Sequence, residues 1–265
     1  MNTIVVPTDF SPSADNAMNY AAQLAQIIGA SILLVHVYQI PISMNDVPVL
    51  MVSAEELKNS ADQGLARAKE IINKTSAGLE VKTESRLGDV IEEVNDVCAS
   101  AQPFAIILGK HGASGVERLL FGSTTLSMIR HSKFPVIAVP DIVSSLRTLN
   151  IALAVENGSF HSRENWIETF IRLTKAQLHV IYVHEAGKDA PMLKNAFIDF
   201  NPVYKTIRNE EFLRSIESYV HSHAIDALIV LPHQHSFIER LFSRTHTAEL
   251  IQKLNIPIIT LSLNE

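Results

Sequence analysis

Several features that mark particular protein classes are absent from this chain. Its one cysteine, Cys98, lies in a helical pattern and has no partner for a disulfide, which favours a buried apolar role for the thiol over a redox role. The first basic residue is Lys58, whereas a secretory signal needs a basic start, so we expect a reducing, cytoplasmic location. No apolar stretch approaches the roughly 18 residues of a membrane span, so no membrane association is expected.

Clusters of basic residues are absent as well. The formal net charge is −6, with −4 over residues 1–147 and −2 over the rest, and no run of Lys or Arg occurs. Proteins that hold a nucleic-acid backbone need a basic patch, so no nucleic-acid partner is expected. The 265 residues are 47% hydrophobic, which is typical of globular structure and is long enough for two domains with their own cores.

Glycine is scarce overall, but three of the glycines stand in one ordered motif. Gly109, Gly112 and Gly122 with Ser123 have the spacing G-x2-G-x9-G-S, after the apolar run Phe104–Leu108 and before a helical pattern. Glycines let a backbone approach a ligand closely, and the free amides at a helix start suit an anion. A turn with a serine N-cap and no ligand is the alternative, but three glycines in a strand, loop and helix context favour a phosphate site.

Two common nucleotide motifs are missing. Lys110 follows Gly109, but His111 stands where a Walker loop needs Ser or Thr, and the GxxxxGK frame is absent. The Rossmann pattern G-x-G-x-x-G is also absent, which disfavours a dinucleotide enzyme.

The glycine spacing resembles that of the ATP-binding branch of the universal stress protein family. The likeness extends over residues 1–140 in family order, through the starting strand IVVPTDFS, an Ala-rich helix, the strand SILLVHVY and the final strand FPVIAVP. The resemblance implies that the ends of the first two strands line an adenosine pocket and that the glycine loop follows ribose and phosphates. Carried over by matching position, the implied nucleotide-binding residues are Pro7, Thr8, Asp9, Val37, Leu108, Gly109, His111, Gly112, Gly122, Ser123, Thr124 and Thr125.

An internal repeat sets the domain organisation. Shifting the chain by 122 residues lays Leu231–Leu261 over Gly109–Val139 without a gap, and nine of 31 positions are identical. We therefore expect a first domain over residues 1–140, a linker over 141–148 and a second domain over 149–265.

Apolar runs alternate with helical patterns in both copies, which predicts α/β structure with a doubly wound parallel sheet and a ligand at the carboxyl ends of its strands. In the first copy the predicted strands are Thr3–Pro7, Ser31–Val37, Leu79–Arg86, Ala105–Leu108 and Val136–Val139. The resemblance implies two tandem domains of the Rossmann-like, adenine nucleotide alpha hydrolase-like fold, arranged as a pseudo-dimer. In that arrangement the final strands of the copies, within 134–139 and 256–263, would pair.

The second copy has lost the glycines of the first. Leu231, Gln234 and Arg244 stand at the positions of Gly109, Gly112 and Gly122, and Glu156 stands at that of Asp9. Side chains there would block amides from a triphosphate, so we predict no ATP site of the family type in residues 149–265. Arg244 could hold a phosphate, fill the empty pocket or lie in solvent.

Histidines are concentrated in the second copy, but no metal site is predicted. His221 and His223 would point to different sides of a helix, and no further ligand with recognisable spacing joins His233, His235 and His246.

The expected function is that of a regulatory module that binds ATP with Mg²⁺ in its first domain. Hydrolysis needs a positioned water and neutralised γ-phosphate charge, yet the basic residues of the loop are only Lys110, His111 and Arg118, and Asp9 suits ribose better than a metal. We therefore expect that the protein is not an enzyme. A slow ATPase or phosphotransferase and a scaffold with a relict loop remain the alternatives. The protein partner, and whether the chain forms a homodimer, stay open.

Overall fold

The computed structural model of the chain describes residues 2–40, 53–109, 122–143, 145–156, 164–184, 197–208, 212–231 and 254–261. Strands and helices alternate through the first half of the chain, as predicted. Their bounds are β1 Thr3–Pro7, α1 Pro12–Ile28, β2 Ser31–Tyr38, α2 Ala54–Thr75, β3 Val81–Leu87, α3 Val90–Ala101, β4 Ala105–Gly109, α4 Ser123–His131 and β5 Val136–Val139.

The second half repeats the alternation. Its bounds are β6 Asn150–Glu156, α5 Glu164–Thr174, β7 Gln177–His184, β8 Val203–Arg208, α6 Phe212–Ser222, β9 Ala227–Val230 and β10 Ile258–Thr260, with a 3₁₀ turn at Ile198–Phe200 before β8.

Local sequence signals explain where the helices begin and end. The Ser11 hydroxyl accepts the amide of Ala14 at the start of α1, and Gly29 ends that helix in the left-handed conformation. Ser53 and Glu56 form a capping box at the start of α2, and Asp89 accepts two amides of α3. These caps fix the ends of the helices that flank the strands.

The ten strands in the described part of the chain form one sheet in the order β3-β2-β1-β4-β5-β10-β9-β6-β7-β8. Strands pair in parallel within each half, and both halves have the same internal order, so the predicted fold of two tandem doubly wound units is confirmed. The two halves meet where β5 and β10 pair antiparallel, with Ile258 opposite Ala138 and Thr260 opposite Val136. The expected pairing of the final strands of the two copies is thereby confirmed.

Two apolar cores cover the two faces of the sheet, and each continues across both halves. One core joins α1, α2 and α5 to the sheet, and the other joins α3, α4 and α6. Cys98 of α3 lies fully buried in the second of these, as expected. Strands buried on both faces explain why the chain contains short apolar runs rather than alternating patterns.

Candidate functional site

A cavity of about 250 Å³ lies at the carboxyl ends of β1, β2 and β4, against the start of α4. This edge is where open parallel sheets place their ligands, because the connecting loops separate there. The lining residues come from β1 and its extension, α1, β2, the start of α3, β4 and α4, and they are Pro7, Thr8, Asp9, Ala14, Val35, Val37, Val90, Leu108, Gly109, Gly122, Ser123, Thr124 and Thr125.

The end of β1 is held by backbone and side-chain hydrogen bonds. The amide of Thr8 donates to the carbonyl of Val35 at 2.8 Å, and a ring nitrogen of His36 lies 2.7 Å from the carbonyl oxygen of Thr8. The Thr8 hydroxyl then accepts the amide of Phe10, and the carboxylate of Asp9 accepts the amide of Ser11. These contacts place the exposed Asp9 carboxylate at the rim of the cavity.

Gly109 ends β4 at a point where a side chain has no room. A Cβ built at Gly109 would lie 2.4 Å from the Ser13 hydroxyl oxygen and 2.6 Å from the Ser13 carbonyl oxygen. The backbone of β4 therefore packs directly on the first turn of α1. This close approach keeps α1 and β4 together as adjacent walls of the cavity.

The start of α4 presents uncapped backbone amides to the cavity. Gly122 is the N-cap residue of α4 and makes no side-chain cap hydrogen bond, while Ser123 and Thr124 follow in the first turn. The first turn contains no acidic residue, so none of its own side chains offsets the positive end of the helix dipole. Amides, dipole and two hydroxyls together form a place suited to an anion.

Thr125 has a structural role where the start of α4 meets the end of β4. Its side chain is buried, and its hydroxyl donates to the carbonyl of Gly109 at 2.8 Å. The bond ties α4 to the end of β4, so the hydroxyl of Thr125 is engaged with the protein backbone while Ser123 and Thr124 face the cavity.

The charge around the cavity is unevenly distributed. Asp9 is the one ionisable side chain among the described residues that line it. Burial, and to a smaller extent the nearby Asp9, raises the pKa of Asp15, which lies one turn into α1. The acidic rim at Asp9 and the positive start of α4 therefore lie on different walls, which gives the cavity a hydroxyl-binding side and an anion-binding side.

The structure brings together every predicted site residue that it describes. His111 and Gly112 lie outside the described residues, as do Lys110 and Arg118. Three lining residues were missed by sequence reasoning: Ala14, Val35 and Val90. Val35 stands two residues before Val37 on the same strand, and Val90 directly follows the Asp89 cap, so strand periodicity and the capping signal could have indicated both.

The second half gives a partial view of the degenerate copy. Leu231, which stands at the position of Gly109, is buried. Gln234, Arg244, His233, His235 and His246 lie outside the described residues, and the absence of an ATP site there stays a prediction.

The described ranges contain neither a metal-binding cluster nor a membrane-spanning helix. Within them, no group of three or more His, Cys, Asp or Glu side chains is placed to hold a metal ion. No helix there has both the length and the apolar character to cross a membrane.

Comparisons with known proteins support the resemblance. The profile of the universal stress protein family matches residues 1–140. A universal stress protein of Mycolicibacterium smegmatis is 29% identical over 140 residues, which are 51% of this chain and 47% of that protein, so the match spans about half the length of this relative. A universal stress protein of Synechocystis sp. is 24% identical over an alignment of 294 residues that covers 98% of this chain and 99% of the relative.

Solved structures show the same architecture over the whole chain. The crystal structure of a universal stress protein from Archaeoglobus fulgidus covers 98% of this chain and 96% of its own, with a TM-score of 0.72 and 16% identity. At that identity the likeness shows the fold alone. The family itself is shown by the profile match over residues 1–140, and this chain belongs to the universal stress protein family.

Proposed function

We propose that the first half of the chain binds ATP, with Mg²⁺ as its counter-ion, and acts as a nucleotide-dependent regulatory module in a stress response. One observation carries the proposal: residues chosen from spacing and resemblance line a single cavity that opens onto the uncapped start of α4. Such a start binds phosphate without any basic side chain.

The two sides of the cavity fit the two ends of a nucleotide. Pro7 and Val37 supply apolar surface for the adenine ring, and the Asp9 carboxylate at the rim can accept hydrogen bonds from ribose hydroxyls. The amides at Gly122 and Ser123 suit the phosphates, which the acidic rim would repel. The orientation of the nucleotide therefore follows from the charge of the two walls.

A regulatory role is favoured over catalysis by the groups that surround the cavity. Phosphoryl transfer needs charge neutralisation and a positioned nucleophile, usually with two or more ionisable residues and a metal. Asp9 alone is ionisable among the described lining residues. Bound ATP would instead favour one conformation of the surface around the cavity. An unidentified protein partner would recognise and bind that conformation.

The nucleotide itself and the buried, unpaired Cys98 favour a reducing, cytoplasmic setting for this module. Whether the chain forms a homodimer is tested by size-exclusion chromatography with light scattering, with and without ATP.

Thermal unfolding with added ATP tests the binding proposal. At a ligand concentration about 100 times Kd, binding raises the free energy of unfolding by about 2.7 kcal/mol. We expect this gain for the native chain and its loss in the double variant Ser123→Ala, Thr124→Val, which removes both hydroxyls at the phosphate end. Ser100→Ala is the matched control, because Ser100 is an exposed serine of α3 whose hydroxyl donates to Asp96 of the same helix.

The alternatives give different outcomes. Release of inorganic phosphate that disappears in the Ser123→Ala, Thr124→Val variant would support a slow ATPase. The absence of any ATP-dependent stabilisation of the native chain would support a scaffold with a relict loop.

A further inference from the structure

A second cavity, of about 400 Å³, lies at the junction of the two halves. Its walls come from α1, the connection over residues 142–147, the end of α6 and the segments that lead into β9 and β10. None of its lining residues belongs to the first cavity. It is therefore a separate space, formed from both halves of the chain.

The antiparallel pairing of β5 and β10 explains why this cavity exists. It brings the amino ends of the second half's strands to the same edge of the sheet as the carboxyl ends of the first half's strands. Helix α1 lines both cavities there, with Ala14 in the first and Tyr20 in the second.

Most of the wall is aliphatic. Val143, Val220, Ile225, Leu254 and Ile256 line the cavity, which favours a ligand whose body is apolar.

Tyr20 brings a hydroxyl donor to the wall of this cavity. The residue is 2% exposed, and no hydrogen bond joins its hydroxyl to a described residue. Burial, and to a smaller extent the nearby Asp226, raises the pKa of the Tyr20 hydroxyl. The hydroxyl therefore stays protonated and is available to donate a hydrogen bond. One Asp226 oxygen already accepts the amides of Leu149 and Asn150, at 2.8 and 3.0 Å. A phenol donor that lines a cavity favours a ligand that brings an oxygen acceptor.

Arg147 supplies a positive charge at the same cavity. Its side chain is exposed, lines the cavity and makes no ion pair with the described residues. His221 is the other potential cation on the wall, and Asp226 is the one carboxylate among the described lining residues. A guanidinium and a phenol donor that line one cavity can together hold a single carboxylate, while the Asp226 carboxylate disfavours a ligand with a second negative charge.

We propose that this junction cavity binds a small monocarboxylic acid with an aliphatic or aromatic body. The body packs on the aliphatic wall, and the carboxylate accepts from Arg147 and Tyr20. This ligand is distinct from the nucleotide, and its site does not depend on the proposed ATP function.

Hexanoate is a suitable probe, with 1-hexanol and hexylamine as neutral and cationic analogues of the same body. Saturation-transfer NMR on the full chain measures the binding of each. We expect saturable hexanoate binding, and affinities about tenfold lower for the two analogues because they lose the charged hydrogen bonds. Equal binding of acid, alcohol and amine, or no saturable binding of the acid, would overturn the proposal.

Two variants locate the bound acid. Arg147→Gln and Tyr20→Phe should each weaken hexanoate binding about tenfold. The exposed Arg67 and the partly exposed Tyr204 give the matched controls Arg67→Gln and Tyr204→Phe, which should leave it unchanged. Circular dichroism checks that each variant is folded, and Arg147→Gln, at an exposed position, keeps the test decisive if Tyr20→Phe unfolds. Displacement of hexanoate by ATP with no effect of either variant would place the acid in the nucleotide cavity and overturn the assignment.

Discussion

At the scale of single residues, Gly109 shows how one sequence feature serves two purposes. The glycine spacing predicted a close approach of backbone to ligand at this position. The structure adds a close approach of backbone to backbone, since Gly109 packs on Ser13 of α1. That packing partner lies 96 residues away along the chain and could not be identified from spacing alone. The need for glycine at this position was therefore predictable from the sequence, whereas its packing against Ser13 was not.

Replacing Gly109 with alanine tests this packing. The new methyl group would meet backbone atoms of Ser13, which cannot turn away, so we expect the free energy of unfolding to fall by about 1–3 kcal/mol in urea unfolding. Gly64→Ala is the comparison, because the nearest atoms to its methyl belong to the ring of Phe10, a side chain that can shift, and helix propensity would offset part of the strain. Equal losses in both variants would contradict the account.

Cys98 gives a prediction about pH. Burial raises the pKa of its thiol from an ordinary value of 9.0 to about 12. Above pH 9 the unfolded chain loses a proton that the folded chain keeps, so the free energy of unfolding falls through this window by up to about 1.4 kcal/mol per pH unit. Urea unfolding at several pH values between about 8 and 11 should show a shallower decline for Cys98→Ala than for the native chain. Parallel declines would show that the thiol does not contribute.

At the scale of elements, the sequence predicted best those segments whose ends carry their own chemical signals. Helix α2 begins at Ala54 because Ser53 and Glu56 form a capping box, a signal that is visible in the sequence. Strand β3 begins at Val81, two residues later than predicted, because the amide of Leu79 is still bonded to Ser76 in the preceding turn. Such a turn is formed by backbone geometry and leaves little trace in the pattern of side chains.

In the candidate site, too, the residues that were predicted differ from those that depend on tertiary contacts. Residues at strand ends and in the glycine motif were predicted, because the family resemblance carries them over position by position. Ala14 was missed because it reaches the cavity only through the packing of α1 against β4, which is a tertiary contact. The sequence also placed Thr125 at the phosphates, and its hydroxyl turned out to be bonded to Gly109.

Thr125→Val tests the attachment of α4 to β4. The variant keeps the shape of the side chain but leaves the carbonyl of Gly109 without its partner, so we expect a loss of about 1–3 kcal/mol in the free energy of unfolding and weaker stabilisation by ATP. Thr169→Val is the matched control, since the hydroxyl of Thr169 is exposed and bonds only within α5. A loss no larger than that of the control would show that the bond to Gly109 is unimportant.

At the scale of the whole molecule, the two halves share one sheet and both cores. Their junction includes Trp166 of α5, whose indole N–H donates to the carbonyl of Phe104 at 2.8 Å and whose ring stacks on Phe104 and Phe170. Together with the pairing of β5 and β10, this contact joins the two halves through both backbone and side chains.

We therefore expect the halves to unfold together. Trp166 is the only tryptophan, so its fluorescence reports the junction, while far-UV circular dichroism reports the whole chain. The two signals should give superimposable urea transitions. A fluorescence transition that precedes the loss of dichroism would mean that the junction opens while the halves remain folded.

The asymmetry between the two halves is the central claim, and isothermal titration of ATP into the full chain, with Mg²⁺ present, tests it most directly. Our account predicts binding at one site per chain, lost when Gly122 is replaced by valine at the start of α4. Two sites per chain, or binding that survives Gly122→Val, would contradict the assignment of a single nucleotide site to the first half.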